Sequence, residues 1–106
     1  MVTADEIRQG KCLAEAAARE VLEKIGHNDL CGFGWVEVYV DRTNSRQAKE
    51  LIQAGFKRDY KPKCLNMWDP AGLPTQSISV KEAGAEAYAE YLRTLGLRAY
   101  AGSRLD

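Results

Sequence analysis

Trp35-Val36-Glu37-Val38-Tyr39-Val40 alternates without a break between valine and a larger or charged side chain. Successive side chains of a β-strand point to opposite faces. Val36, Val38 and Val40 therefore share one face, and Trp35, Glu37 and Tyr39 share the other. The valine face calls for a helical layer to cover it. The opposite face carries two aromatic rings around a carboxylate, and what becomes of it depends on how many helices the flanking segments supply.

Those segments are helical by their ends as well as by their period. On the N-terminal side, Thr3 is followed three positions later by Glu6, the pattern of a capping box. Ile7, Ala14, Ala18, Val21, Leu22 and Ile25 then recur at helical spacing up to Gly26, against a face of Arg8, Glu15, Arg19 and Glu23. A second helix is expected to begin at Asn44 or Ser45, with Gln47 completing a box. It should bury Ala48, Leu51 and Ile52 and stop at Gly55, after which Phe56 plugs the exit. A third is expected from Ser79, with Glu82 as its partner, through Val80, Ala83, Ala87, Tyr88, Tyr91, Leu92 and Leu95 to Gly96.

Two more segments have strand character. One lies within residues 57–68 and is interrupted at Pro62, which cannot donate to a ladder and favours an edge. The other covers Leu97 to Gly102 or slightly beyond. Gly32-Phe33-Gly34 precedes its strand, whereas a phosphate-cradling loop follows one and opens a helix, so it is taken as a turn. Residues 69–76 have the composition of an ordered surface loop. The order α-β-α-β-α-β predicts an α/β (α+β) domain spanning residues 1–106, with a three- to four-stranded sheet and three helices packed mainly on one face. The other face stays incompletely covered, leaving Trp35 and Tyr39 available.

With 106 residues the chain can bury a core without staples, and 15 Lys+Arg against 15 Asp+Glu exclude an overall polycation. The first residues are punctuated by charge, offering neither a signal-peptide core nor a membrane span, so a cytoplasmic location is expected. Cys12, Cys31 and Cys64 have no CxxC spacing and are expected to be free, mostly buried thiols. His27 and Cys31 lack a second ligand pair, so neither a metal nor another cofactor is expected. One histidine and no nucleophile elbow argue against nucleophilic catalysis. Glu82 and Glu86, on adjacent helical turns, have the ordinary explanation of a solvated face. Phosphodiester chemistry on Lys, Tyr or Glu alone stays open.

Charge is uneven. Between Asp41 and Lys63 stand Arg42, Arg46, Lys49, Lys57, Arg58, Lys61 and Lys63 against three carboxylates. Beside Tyr60, Trp68, Trp35 and Tyr39 they offer cations next to flat π surfaces, the pairing that phosphates and bases require. The competing explanation is a solvated helix face and a lysine-protected edge strand. The final stretch, residues 99–106, is not polar and loose, so something is expected to hold it. Arg104 has two openings, a helix carboxylate such as Glu82 or a ligand phosphate.

The segments GFGWV (32–36), WDP (68–70), Gln76, KEAGA (81–85) and AYAGSRLD (99–106) resemble the pattern of a family of short proteins of unassigned function encoded by tailed bacteriophages and prophages. The chain departs from that pattern at residues 57–63, where a more glycine-rich, tyrosine-containing turn is expected. The resemblance implies a small accessory protein acting in an infected bacterium, by analogy a counter-defence protein that works by binding. Joined to the basic and aromatic segment, it leads to an expected role as a non-enzymatic sequestering protein for a nucleotide-like anionic small molecule. Trp35 and Trp68 would stack, Lys63, Lys81 and Arg104 would meet phosphate, and Gln76 would meet a base edge. The alternatives are a protein-protein inhibitor of a host or defence protein, and a small phosphodiesterase or nucleic-acid-binding protein. An under-covered sheet face also implies a homodimer or higher homo-oligomer.

Overall fold

The alternating segment becomes the spine of the fold. In a computed structural model describing residues 1–26 and 28–106, three helices and four strands follow one another as α1 (Ala4–Ile25), β1 (Gly32–Tyr39), α2 (Arg46–Gln53), β2 (Lys57–Arg58), β3 (Cys64–Trp68), α3 (Ile78–Thr94) and β4 (Arg98–Leu105). The sheet is antiparallel throughout, in the order β2-β3-β1-β4. This is the expected mixed α+β fold with its expected order of elements, except that the segment at 57–68 supplies two strands. A turn containing Pro62 separates β2 from β3, so the proline lies between two strands instead of interrupting a single edge strand.

Helix ends follow local chemistry. Thr3 and Glu6 form the reciprocal capping box at α1, and Gly26 ends that helix at φ 67°. Ser45 caps α2 by accepting from Ala48 N–H, which places Gln47 one position too early to complete a box. Its amide instead bonds both Val2 N–H and Val2 C=O, at 2.9 and 2.8 Å, tying the N-terminal residues to α2. Ile52 is exposed and not part of the core. At α3 the cap is Ser77, two residues before the expected Ser79. Ser79 N–H instead donates to Asp29, which also accepts from Ser77 Oγ at 2.7 Å. These hydrogen bonds, with Ser77's the strongest, hold the Asp29 carboxyl at about 2. Glu82 is left free to accept from Ser103 Oγ of β4.

The core lies between the valine face and the helices. Val36, Val38 and Val40 are buried with Ile7, Leu51, Phe56, Leu65, Tyr88 and Leu92, and Ala18, Leu73 and Val80 continue the core beneath the 69–76 loop. α3 lies directly on β1 and β4, and α1 packs along α3. Small residues permit the close approach: a Cβ on Gly34 would stand 2.8 Å from Lys81 O. Gly34 is thus an interior strand residue under α3, and Gly32-Phe33-Gly34 is the first part of β1 rather than a turn. Two tyrosines add direction to this packing. Tyr88 Oη donates to Ile7 O at 2.8 Å and Tyr91 Oη to Glu6 O at 2.7 Å, so α3 grips the backbone of α1 near its start.

The final segment is held as expected, and by the full length of β1. The ladder pairs Gly32 with Leu105 through to Tyr39 with Arg98. Of the three thiols, only Cys64 is buried, while Cys12 and Cys31 are free but exposed, against the expectation of mostly buried cysteines. Cys12 falls on the outer side of α1, and Cys31 sits just before β1. No helix among the described residues is long and apolar enough to cross a membrane.

Candidate functional site

Antiparallel pairing carries the alternation of β1 into its neighbours. Trp35 stands opposite Trp68 on β3 and Gly102 on β4, Glu37 opposite Asn66 and Tyr100, and Tyr39 opposite Cys64 and Arg98. Paired residues share a face, so the open side of the sheet collects Phe33, Trp35, Trp68, Tyr39, Tyr100 and Arg104. The Trp35 and Trp68 rings stack with centroids 4.8 Å apart and 26° between planes. Phe33 meets Trp68 edge-on at 5.8 Å, and Tyr39 meets Tyr100 at 6.0 Å. Such pairs add about 0.5–1.5 kcal/mol each beyond the area they bury. Gly102 makes the stack possible, because a Cβ there would lie 2.5 Å from the Trp35 ring.

Glu37 occupies the middle of this face, and its side chain is only 14% exposed. Trp35 Nε1 donates to Oε1 at 3.1 Å, Lys61 Nζ to the same oxygen at 2.9 Å, and Tyr39 Oη to Oε2 at 3.0 Å. Burial alone would raise the Glu37 pKa, but the bonds from Lys61, Trp35 and Tyr39, with the charge of Lys61, outweigh it and hold the carboxyl below its ordinary value. The same contacts raise Lys61 and Tyr39, chiefly through their bonds to Glu37. Deeper in, burial and then the charges of Glu37 and Asp59 push the Cys64 thiol up to about 11, leaving it protonated and inert. Both carboxylate oxygens of Glu37 are thus engaged, Oε1 by Trp35 and Lys61 and Oε2 by Tyr39.

Of the residues singled out from sequence, Trp35, Trp68 and Arg104 come together. Trp68 keeps 47% of its surface exposed. The Arg104 guanidinium lies 5.4 Å from the Phe33 centroid and 5.9 Å from that of Trp68. Among the described residues it forms no ion pair, and Glu82, its expected carboxylate, is taken by Ser103. Lys81, largely buried, sends its ammonium to within 5.6 Å of the Phe33 ring. Gln76 is exposed in a separate depression that it shares with Lys81 and Asp69. Lys63 is not brought to the site. Its carbonyl accepts from Val40 N–H at the opposite end of β3, about 17 Å from Trp68 at roughly 3.4 Å per strand residue. Lys61 lines the site instead, with its ammonium paired to Glu37.

The depression bounded by Trp35, Glu37, Tyr60, Lys61, Trp68 and Arg104 holds about 220 Å³. That is below the roughly 300–1,000 Å³ of a pocket that engulfs a small molecule. Phe33 and the Glu37–Lys61 pair are members of this site that sequence reasoning missed. Phe33 was hidden by taking 32–34 as a turn, and the Lys61–Glu37 contact depends on the course of the 59–63 turn. Among the described residues, no group of three or more His, Cys, Asp or Glu could hold a metal, and His27 lies outside them. Comparison of the chain with family models, with curated proteins and with solved structures gives no match in any of the three.

Proposed function

We propose that the protein binds a nucleotide-like anionic small molecule on its open sheet face and holds it without turning it over. The observation that carries this reading is the half-exposed Trp68 ring, fixed from behind by Trp35, with at its edge the Arg104 guanidinium, which has no ion-pair partner among the described residues. A base stacked on an aromatic ring is worth about 1–3 kcal/mol. A guanidinium with no carboxylate partner presents a planar fork to a phosphate. Lys81 adds a second cation beside Phe33. The lowered Glu37 is neutralised in place by Lys61, so it repels an incoming anion less than its position suggests.

In the same reading the protein is a phage or prophage accessory protein of counter-defence type. It works in the cytoplasm of a bacterial host as a homodimer or higher homo-oligomer, sequestering a nucleotide signal. The test is thermal unfolding against a panel of mono-, di- and cyclic nucleotides, followed by chromatography of the ligand released on heating. A ligand at a hundred times its Kd adds about 2.7 kcal/mol. A shift of several degrees, lost in Arg104→Ala and Trp68→Ala, with the ligand recovered intact, supports the reading. Recovery of cleaved ligand makes the protein a phosphodiesterase instead. A second reading, inhibition of a host or defence protein, is favoured by Tyr60 and Tyr100, which are 91% and 54% exposed beside the same site. It predicts no nucleotide shift and a loss of partner binding in Trp68→Ala that exceeds the loss in Arg104→Ala.

A further inference from the structure

We propose that the outer edge of β4 is a self-complementary interface, on which a second copy of this chain lays its own β4 antiparallel to join two sheets into one. The inference rests on the self-association proposed above and names its surface. β4 is eight residues long, ends the sheet order and is paired only on its β1 side. Natural sheets guard such edges by shortness, proline, lysine or bulges. The opposite edge is guarded in that way, since β2 is two residues long and reads Lys57-Arg58. β4 has no proline, its register with β1 is unbroken, and its centre reads Ala99-Tyr100-Ala101-Gly102-Ser103.

The backbone polarity of the edge can be assigned. Asp106 N–H donates inward to Cys31 O, so even-numbered residues of β4 turn their backbone groups toward β1 and odd-numbered ones turn outward. Arg93 Nη1, reaching Ala99 O at 2.8 Å, marks the same outer row. Ala101 and Ser103 have no such cap among the described residues. A two-fold axis through Gly102 would let Ala101 and the partner's Ser103 exchange both backbone bonds, twice by symmetry. It would also set Tyr100 opposite the partner's Arg104, a cation on a ring, and bring Arg98, which already bonds Asp41 of its own chain at 3.3 Å, opposite the partner's Asp106, each made twice. Moving the axis to Ala101 sets Arg98 opposite the partner's Arg104, a like-charge pair. A one-residue slip turns the aromatic face of one copy onto the helix side of the other. The axis at Gly102 is the one the side chains favour.

The test begins with sedimentation equilibrium of the full chain, which should give twice its 11.8 kDa mass. Ala101→Pro removes an outward N–H without touching the β1 ladder and should give a monomer with unchanged helix content. Independently of how that variant folds, Tyr100→Cys with Arg104→Cys, in a chain carrying Cys12→Ser and Cys31→Ser, should form a disulfide-linked dimer under mild oxidation. Neither single cysteine should do so. A full chain that stays monomeric overturns both this interface and the self-association reading. A dimer that survives Ala101→Pro, or fails to cross-link, overturns this interface alone.

Discussion

Replacing Gly34 by alanine should destabilise the protein by about 3 kcal/mol, and the figure can be worked from one contact. The added Cβ would stand 2.8 Å from Lys81 O and 2.9 Å from Lys81 C, whereas ordinary contact begins at 3.4 Å. The obstacle is helix backbone, so relief requires β1 and α3 to part by about 0.6 Å. A gap of that size forfeits roughly a quarter to a half of the dispersion well for atoms lining it. The affected layer includes Val36, Val38, Val80, Tyr88 and Leu92, all buried. Overpacking costs are typically about 1–3 kcal/mol, and a rigid obstacle puts this one at the top. Urea titration should show the midpoint falling with m unchanged, and Tm should drop by about 12 °C at roughly 4 °C per kcal/mol. Adding Lys81→Ala should restore nothing, because the backbone of residue 81 stays where it is. A Tm loss under about 4 °C, or rescue by Lys81→Ala, would refute the argument.

Gly102→Ala offers the contrasting case, since its Cβ meets the movable Trp35 ring; it should cost about 1–2 kcal/mol in thermal melts and disturb the stack, and Trp35→Ala in the same chain should remove the added cost. Tyr88→Phe deletes a buried bond to Ile7 O and should cost about 1 kcal/mol by urea titration, with near-native α-helix content by circular dichroism. Asp29 has its folded pKa lowered from 3.8 to about 2, so its contribution is fully present above 3.8 and is lost as pH falls through about 2. Asp29→Asn should therefore flatten the acid limb of a Tm-versus-pH curve in that window, and an unchanged limb would dismiss the clamp. Lys63 holds φ 59°. Lys63→Gly should relieve about 1 kcal/mol of left-handed strain in thermal melts and leave any nucleotide shift intact. Thiol titration of the native protein should count two fast groups, Cys12 and Cys31, with Cys64 reacting only on unfolding.

How much of this was legible depends on the range of the physics involved. The alternation of 35–40 and the Thr3–Glu6 box are local, and both stand as read. Ser45 caps α2 as read, but Gln47 bonds Val2 instead of completing a box, and the cap of α3 moves from Ser79 to Ser77, where Asp29 gathers both serines. Glycines at 32 and 34 read as a turn because local preference disfavours them in strands, while close packing under α3 selects them there. In the site, Trp35 and Tyr39 were placed by parity alone. Joining them to Trp68 and Arg104 required the registers of β3 and β4, which no single segment encodes. Lys63 was grouped with Trp68 by nearness in sequence, yet the strand between them keeps them apart.

The Trp35–Trp68 stack has a practical consequence. The chain has two tryptophans, and both are in it. Intrinsic fluorescence excited at the red edge of protein absorption thus reports on this one spot, free of background from elsewhere in the molecule. Two indoles this close also couple their electronic transitions, which gives the far-ultraviolet dichroism a paired signal whose sign and size follow the angle between the rings. The protein carries its own optical gauge of whatever settles on that face.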